Sequence, residues 1–286
     1  MYYYKFLRFP GGKAKAFTMS YDDGCKSDLR FSDVISARGL KCTFNLCSNK
    51  RMNRLTDEEI RTYFLDRGHE IAVHGAMHRA EGNLRQIEGI KEVLDCRLEL
   101  EERFGRIIRG MAYPDSGITL MQNGANYESI KDYLKELDIA YSRTLAGDNC
   151  SFLLPEDWYA WMPSAHNTNP EVLDMLDKFI GLDISPDVYP ARRHPRLFYM
   201  WGHTYEFEDK NKWGLLDEIC DKIAGRDDIW YATNIEIYDY VNAYNSLVYS
   251  ADGNMVYNPT LFEIWFDTFD TEARLHCIKP GETLKL

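Results

Sequence analysis

This sequence has no apolar run longer than a few residues, so it lacks the stretch of about 20 that a bilayer-spanning helix needs. Basic residues are in short supply. The chain carries 34 Lys and Arg against 45 Asp and Glu, a formal charge of −11. A nucleic-acid partner is therefore not expected, because phosphate binding draws its affinity from Lys and Arg. Among the seven cysteines there is no C-x-x-C pair, which argues against a zinc ribbon or a thioredoxin-type motif. Cys25, Cys42, Cys47, Cys96, Cys150, Cys220 and Cys277 are scattered, several in apolar segments, and read as reduced, mostly buried thiols. The opening Met1-Tyr2-Tyr3-Tyr4-Lys5 has no apolar core of a secretory signal. These features set a cytoplasmic expectation. Low-complexity tracts and repeats of fixed period are also missing.

What is present is an ordinary globular balance, 45% hydrophobic and 28% charged over 286 residues. That length suits one large domain with a small annex. Strands are predicted near Ala16–Tyr21, Leu40–Leu46, Glu70–His74, Ile107–Tyr113, Ala140–Arg143, Leu197–Trp201 and Ile229–Ala232. Helical spacing fills the gaps. Thr56-Asp57-Glu58-Glu59 is a capping box, and Leu84–Phe104 places Ile87, Ile90, Val93 and Leu94 on one face. Strands alternating with helices imply βαβ units, a parallel sheet and function at the C-terminal strand ends. The fold expected is α/β, a deformed (β/α) barrel of about seven parallel strands over residues 1–245. Short strands and turns after Tyr244 predict a small β annex over residues 246–286, too short to fold alone.

Three clusters follow predicted strands. Ser20-Tyr21-Asp22-Asp23-Gly24 sets two carboxylates side by side; taken alone it is also an ordinary Asp-Gly turn. His74-Gly75-Ala76-Met77-His78 spaces two imidazoles at i and i+4, one face of a helical turn, where they can share a metal. In a chain with seven histidines that spacing also arises by chance. Trp201-Gly202-His203 ends a strand with a histidine that could equally be a packed ring. Jointly the pattern is stronger. A parallel barrel gathers these strand ends, and one Asp with two His leaves a divalent cation open positions for water and substrate. The other Asp and the late His are then free to act as base and acid.

In these motifs the chain resembles the polysaccharide deacetylases, the NodB-homology proteins of carbohydrate esterase family 4. Ser20-Tyr21-Asp22-Asp23-Gly24 is similar to the family's Thr-Phe-Asp-Asp-Gly, His74-Gly75-Ala76-Met77-His78 to its His-Ser/Thr-x-x-His, and Trp201-Gly202-His203 to its Leu-x-His. The resemblance spans about Ala14 to Tyr244. It implies metal-dependent removal of acetyl groups from an N- or O-acetylated carbohydrate. By position, Asp22 would be the general base, Asp23, His74 and His78 the metal ligands, and His203 the general acid. The cofactor implied is one divalent ion. The ligand types suit zinc first, with cobalt, nickel or iron compatible. The partner implied is an acetylated sugar or oligosaccharide.

The third family motif, Arg-x-Pro-Tyr, is altered. Pro114 is kept, but Ala112 stands where the family has the arginine that pairs with the catalytic aspartate. Arg109 is three positions early, which on a strand points it to the other face. Arg143, ending another strand, is the candidate replacement; a surface salt bridge is its plain alternative. The N–H of Asp115 stands where the family places its oxyanion donor. Glu156-Asp157-Trp158 is a possible match to the family's Asp-Trp motif, in a long stretch from Gly147 to Pro170. Candidate substrate contacts are Asp115, Tyr113, Trp201, Trp161 and His166; the aromatic rings could stack on sugar or simply pack. A non-sugar C–N amide hydrolase and a catalytically inactive carbohydrate-binding barrel are the competing readings.

Overall fold

The structure is a computed structural model and describes residues 4–49, 53–145, 149–184, 189 and 192–286. The chain opens with β1 (Tyr4–Arg8), β2 (Lys15–Asp22), α1 (Ser27–Ser36), β3 (Thr43–Leu46), α2 (Asp57–Ile60) and β4 (Glu70–Val73). It continues through α3 (Gln86–Phe104), β5 (Gly110–Ala112), α4 (Tyr127–Glu136), β6 (Tyr141–Arg143), β7 (Ala165–His166) and α5 (Val172–Ile180). Then come β8 (Arg196–Gly202), α6 (Tyr205–Asp209), α7 (Trp213–Ile223), β9 (Ile229–Tyr231) and α8 (Asn234–Asn245). The last elements are β10 (Val248–Tyr249), β11 (Met255–Tyr257), β12 (Ile264–Phe269), β13 (Ala273–Ile278) and β14 (Thr283–Lys285).

Seven parallel strands lie side by side in the order β6-β5-β4-β3-β2-β8-β7. An eighth, β9, pairs with residues 15–17 at the start of β2, while β3 pairs with residues 20–22 at its end. The sheet curls until its edges nearly meet. Trp161 N–H donates to Ser142 O at 3.0 Å and Thr144 N–H donates to Trp161 O at 2.9 Å, tying the segment before β7 to β6. Four residues later Ala165 pairs with Met200 of β8, so this short segment joins both edges of a deformed barrel.

The central strand shows why the sequence folds this way. All eight residues of β2 are buried, as expected for a parallel strand covered on both faces. Phe17, Met19 and Tyr21 face the helical layer and pack with Phe31, Ile35 and Phe44. Ala16, Thr18, Ser20 and Asp22 alternate to the other side, where Ala16 packs with Tyr141, Trp161 and Tyr199 in the barrel interior. The predicted capping box at Thr56 is formed, and Gly105 ends α3 in the left-handed conformation at φ 64°. The α3 face differs from the expected one. Gly89, Glu92, Val93, Cys96, Leu100 and Phe104 are buried, and Ile87 is 59% exposed. Gly89 turns inward because Tyr133 presses on it: a Cβ there would meet the Tyr133 hydroxyl at 2.6 Å.

The C-terminal strands form two antiparallel sheets, β1-β12-β13 and β10-β11-β14. The N-terminal strand thus pairs with residues more than 250 positions later, Tyr4 opposite Phe269. Ile264, Phe266, Ile278 and Val256 are fully buried against Leu7, Phe9 and α8 residues Ile237, Tyr240 and Val241. Asp267 is clamped by Arg8, at 2.6 Å, and by Arg193. Among the described residues no helix is long and apolar enough to cross a membrane. The seven cysteines are free thiols.

Candidate active site

The C-terminal strand ends converge as a parallel barrel requires. Asp22 ends β2, His74 follows β4, Arg143 ends β6, His166 ends β7 and His203 follows β8. Asp22 is 1% exposed. Its Oδ2 accepts a 2.6 Å bond from Arg143 Nη2, and Arg143 is wholly buried. Asn45 Nδ2 donates to the other oxygen, Oδ1, at 2.7 Å. Burial pushes the Asp22 pKa up; Arg143, His74, His203 and Asn45 outweigh it and hold the carboxyl below its ordinary value. The Arg143 guanidinium also lies over the Trp201 ring, 4.3 Å from its centroid.

Asp23, His74 and His78 form a tight donor set. Asp23 Oδ1 lies 3.3 Å from His78 Nε2 and 3.7 Å from His74 Nε2, and the three ligand atoms fall within 4.8 Å of one another. Asp23 and His78 both hold left-handed backbone, φ 80° and 60°, the strained geometry that clusters at functional sites. His74 Nδ1 bonds the Ala112 carbonyl at 2.9 Å, and burial lowers its pKa, favouring the neutral ring. A ring that donates from Nδ1 presents the Nε2 lone pair to the carboxylates, which is how a metal-ligating imidazole is held. Asp23 Oδ1 is buried without a hydrogen-bond partner. A divalent cation fits this arrangement: the orphaned carboxylate oxygen and two convergent imidazole nitrogens make an open, three-ligand site.

His203 closes the far side, with Nε2 3.9 Å from both Asp22 Oδ2 and Asp23 Oδ2. A Cβ on Gly202 would sit 1.8 Å from Asn167 Oδ1, so only glycine lets β8 deliver His203 past that loop. A cleft of about 770 Å³ opens from Asp23 between Arg30, Arg54, Tyr205 and Glu208.

Residues 10–141 match the polysaccharide deacetylase family. The match covers a little under half of the chain. No curated protein matches the chain. Solved deacetylase-type structures share its fold. A Mycobacterium smegmatis chain assigned as a polysaccharide deacetylase is 17% identical, with TM-score 0.60 over 84% of this chain and 94% of that one. A Pseudomonas aeruginosa chain with the same assignment is 14% identical, with TM-score 0.58 over 81% and 92%. A mutant of a Bacillus anthracis pseudoenzyme of carbohydrate esterase family 4, with restored enzymatic activity, is 13% identical with TM-score 0.51 over 82% and 70%. At these identities the likeness is one of fold.

The structure brings Asp22, Asp23, His74, His78, His203 and Arg143 together. The His74–His78 segment is an irregular loop rather than the helical turn its spacing suggested. Gly75 turns at φ 78°, and the buried Glu92 of α3 accepts the N–H groups of Met77, at 2.6 Å, and Arg79, at 3.0 Å. Trp201 and His166 stand beside the cluster, ring centroids 4.5 Å apart. Asp115 is exposed on a left-handed turn at φ 51°. Tyr113 and Trp161 stand apart. Tyr113 is buried and its hydroxyl donates to Tyr159 O, while Trp161 packs edge-on against Tyr141, Trp158 and Tyr199. Arg109 pairs with Asp239 of α8, away from the site. Asp157 is held by Lys131 and Tyr127, and Gly147, the start of its long stretch, lies outside the described residues. The sequence reading missed Asn45, Glu92 and Glu206. Of these only Glu206 left a signal, at three positions after His203.

Proposed function

We propose that the protein is a metal-dependent deacetylase acting on N- or O-acetylated carbohydrate. The observation that carries this reading is Asp22, clamped by Arg143 and facing His203 across the Asp23, His74 and His78 donor set. A divalent cation on those three residues, zinc by its ligand types, would polarise the acyl carbonyl and acidify a bound water. The chain supplies the remaining steps. Asp22 is kept ionised by Arg143 and takes the proton of the attacking water. His203, from the opposite side, gives a proton to the departing nitrogen or oxygen of the sugar. The Asp115 N–H is the donor offered to the developing oxyanion. Trp201 and His166 border the site where substrate would lie.

The test is metal analysis with deacetylation assays on chito-oligosaccharides and acetylated xylan. Asp22→Asn is expected to keep the metal and lower turnover by about 10²–10⁴, the range general catalysis supplies. Near-native turnover in that variant would remove Asp22 as the base. A metal-loaded wild type inert on both substrates would favour a binding barrel or a non-sugar amidase.

A further inference from the structure

The side of His203 turned away from Asp22 meets a second group of side chains. Glu206, in the first turn of α6, stands between two imidazoles. Its Oε2 lies 3.4 Å from His166 Nε2 and 3.9 Å from His203 Nδ1, and it accepts the backbone N–H of His203 at 3.3 Å. His203 Nδ1 is buried and has no hydrogen-bond partner of its own. The His166 tautomer follows from its neighbours. Thr168 N–H donates to His166 Nδ1 at 3.2 Å, and the Thr168 hydroxyl lies 2.8 Å from the same atom. With Nδ1 accepting, the ring proton of His166 sits on Nε2 and points at Glu206. A cation shared by His166, His203 and Glu206 is disfavoured by the same fact, because His166 Nε2 then has no lone pair to give.

We propose that Glu206 is a positioning residue for His203: its carboxylate draws a proton to Nδ1, so that Nε2 is the nitrogen presented to the reacting centre, and His166 holds the carboxylate in place. This rests on the reading of His203 as the acid. During the reaction the doubly protonated ring gives its Nε2 proton to the leaving group. It is left neutral with the remaining proton on Nδ1, facing Glu206. At 3.9 Å this contact is longer than a hydrogen bond, so the proposed role requires the ring to turn toward Glu206 when substrate is bound. Without the carboxylate, the neutral ring is free to place its proton on Nε2 and turn its lone pair away from the site.

The experiment uses the full chain loaded with zinc, as wild type and as Glu206→Gln. Steady-state kinetics on acetylated chito-oligosaccharide is paired with nitrogen-15 NMR of the histidine rings, His203 being assigned by substitution. Glu206→Gln is expected to lower kcat about 10- to 100-fold, the usual effect of losing a supporting carboxylate, with KM and zinc content within about twofold of wild type. The neutral His203 ring should carry its proton on Nδ1 in wild type and gain an Nε2–H population in the variant. A wild-type ring protonated on Nε2 overturns the proposal, as does a variant with unchanged kcat or an unchanged tautomer. The wild-type spectrum decides the matter even if the variant folds poorly. It is also read without turnover, so an inert enzyme would refute the deacetylase reading while leaving this measurement standing.

Discussion

Replacing Arg143 by methionine should leave Asp22 as a buried carboxylate with no full cation beside it. The guanidinium is wholly buried, sits 2.6 Å from Asp22 Oδ2 and stacks on Trp201. At an effective dielectric of 20, a pair of unit charges about 4 Å apart is worth about 4 kcal/mol. Removing one partner of a buried pair typically costs about 3–5 kcal/mol, chiefly through the stranded charge. Arg143→Met is therefore expected to lose about 3–5 kcal/mol in urea unfolding, measured with chelator present so that metal binding does not enter. Asp22→Asn strands the guanidinium instead and should also destabilise. The double variant strands neither, so its loss should fall short of the sum by about 2–3 kcal/mol. Additivity within about 0.5 kcal/mol would refute the pairing as an energetic unit. Activity supplies a second readout. In the proposed reaction Asp22 acts as base in its ionised form, and losing the cation raises its pKa, so the acidic limb of the rate profile should move to higher pH.

Two further outcomes are expected. His78→Ala should abolish stoichiometric metal binding while far-ultraviolet circular dichroism stays native, since His78 lies on a loop; full metal occupancy in that variant would remove it from the ligand set. Glu70, at the other end of the barrel, accepts from Thr43 Oγ1, Tyr141 OH and Ile235 N–H, and burial pushes its pKa from 4.5 up to about 7. The folded state then holds a proton that the unfolded state releases. The stabilisation that Glu70 contributes is therefore full below pH 4.5 and falls by about 2–3 kcal/mol as pH rises to 7; it is read as the difference between the pH profiles of wild type and Glu70→Gln.

The barrel was legible because parallel strands buried on both faces leave continuous apolar runs, and β2, β3, β4, β5, β6, β8 and β9 all lie where such runs occur. Strands β1 and β7 were not. Tyr4–Arg8 acquires its role only from β12, which folds beside it from the other end of the chain, and Ala165–His166 is too short to carry a period. The buried face of α3 was misplaced for a related reason. Spacing marks an apolar stripe, but the approach of Tyr133 decides which side of the helix goes inward, and it selects a glycine over Ile87.

The grouping of the candidate site residues was legible to the extent that one strand end carries each. Asp22, Asp23, His74, His78 and His203 are grouped by strand order alone. Their neighbours come from elsewhere: Asn45 from the next strand, Glu92 from a helix and Glu206 from the first turn of α6, with only the spacing of Glu206 from His203 leaving a trace in the sequence. Arg143 lies between these cases. Alternation alone puts it on the same face as Tyr141, inside the barrel, and puts Arg109 outside. The structure adds the register. Ala112 and Arg143 are direct partners across β5 and β6, one strand spacing apart. A guanidinium reaching from 143 therefore enters the interior beside the position that 112 would have used, and the small Ala112 side chain leaves the room. What the aspartate requires is a cation at that place in the barrel. Two neighbouring strands can supply it, which is why a motif search along a single strand finds it missing while the folded sheet does not.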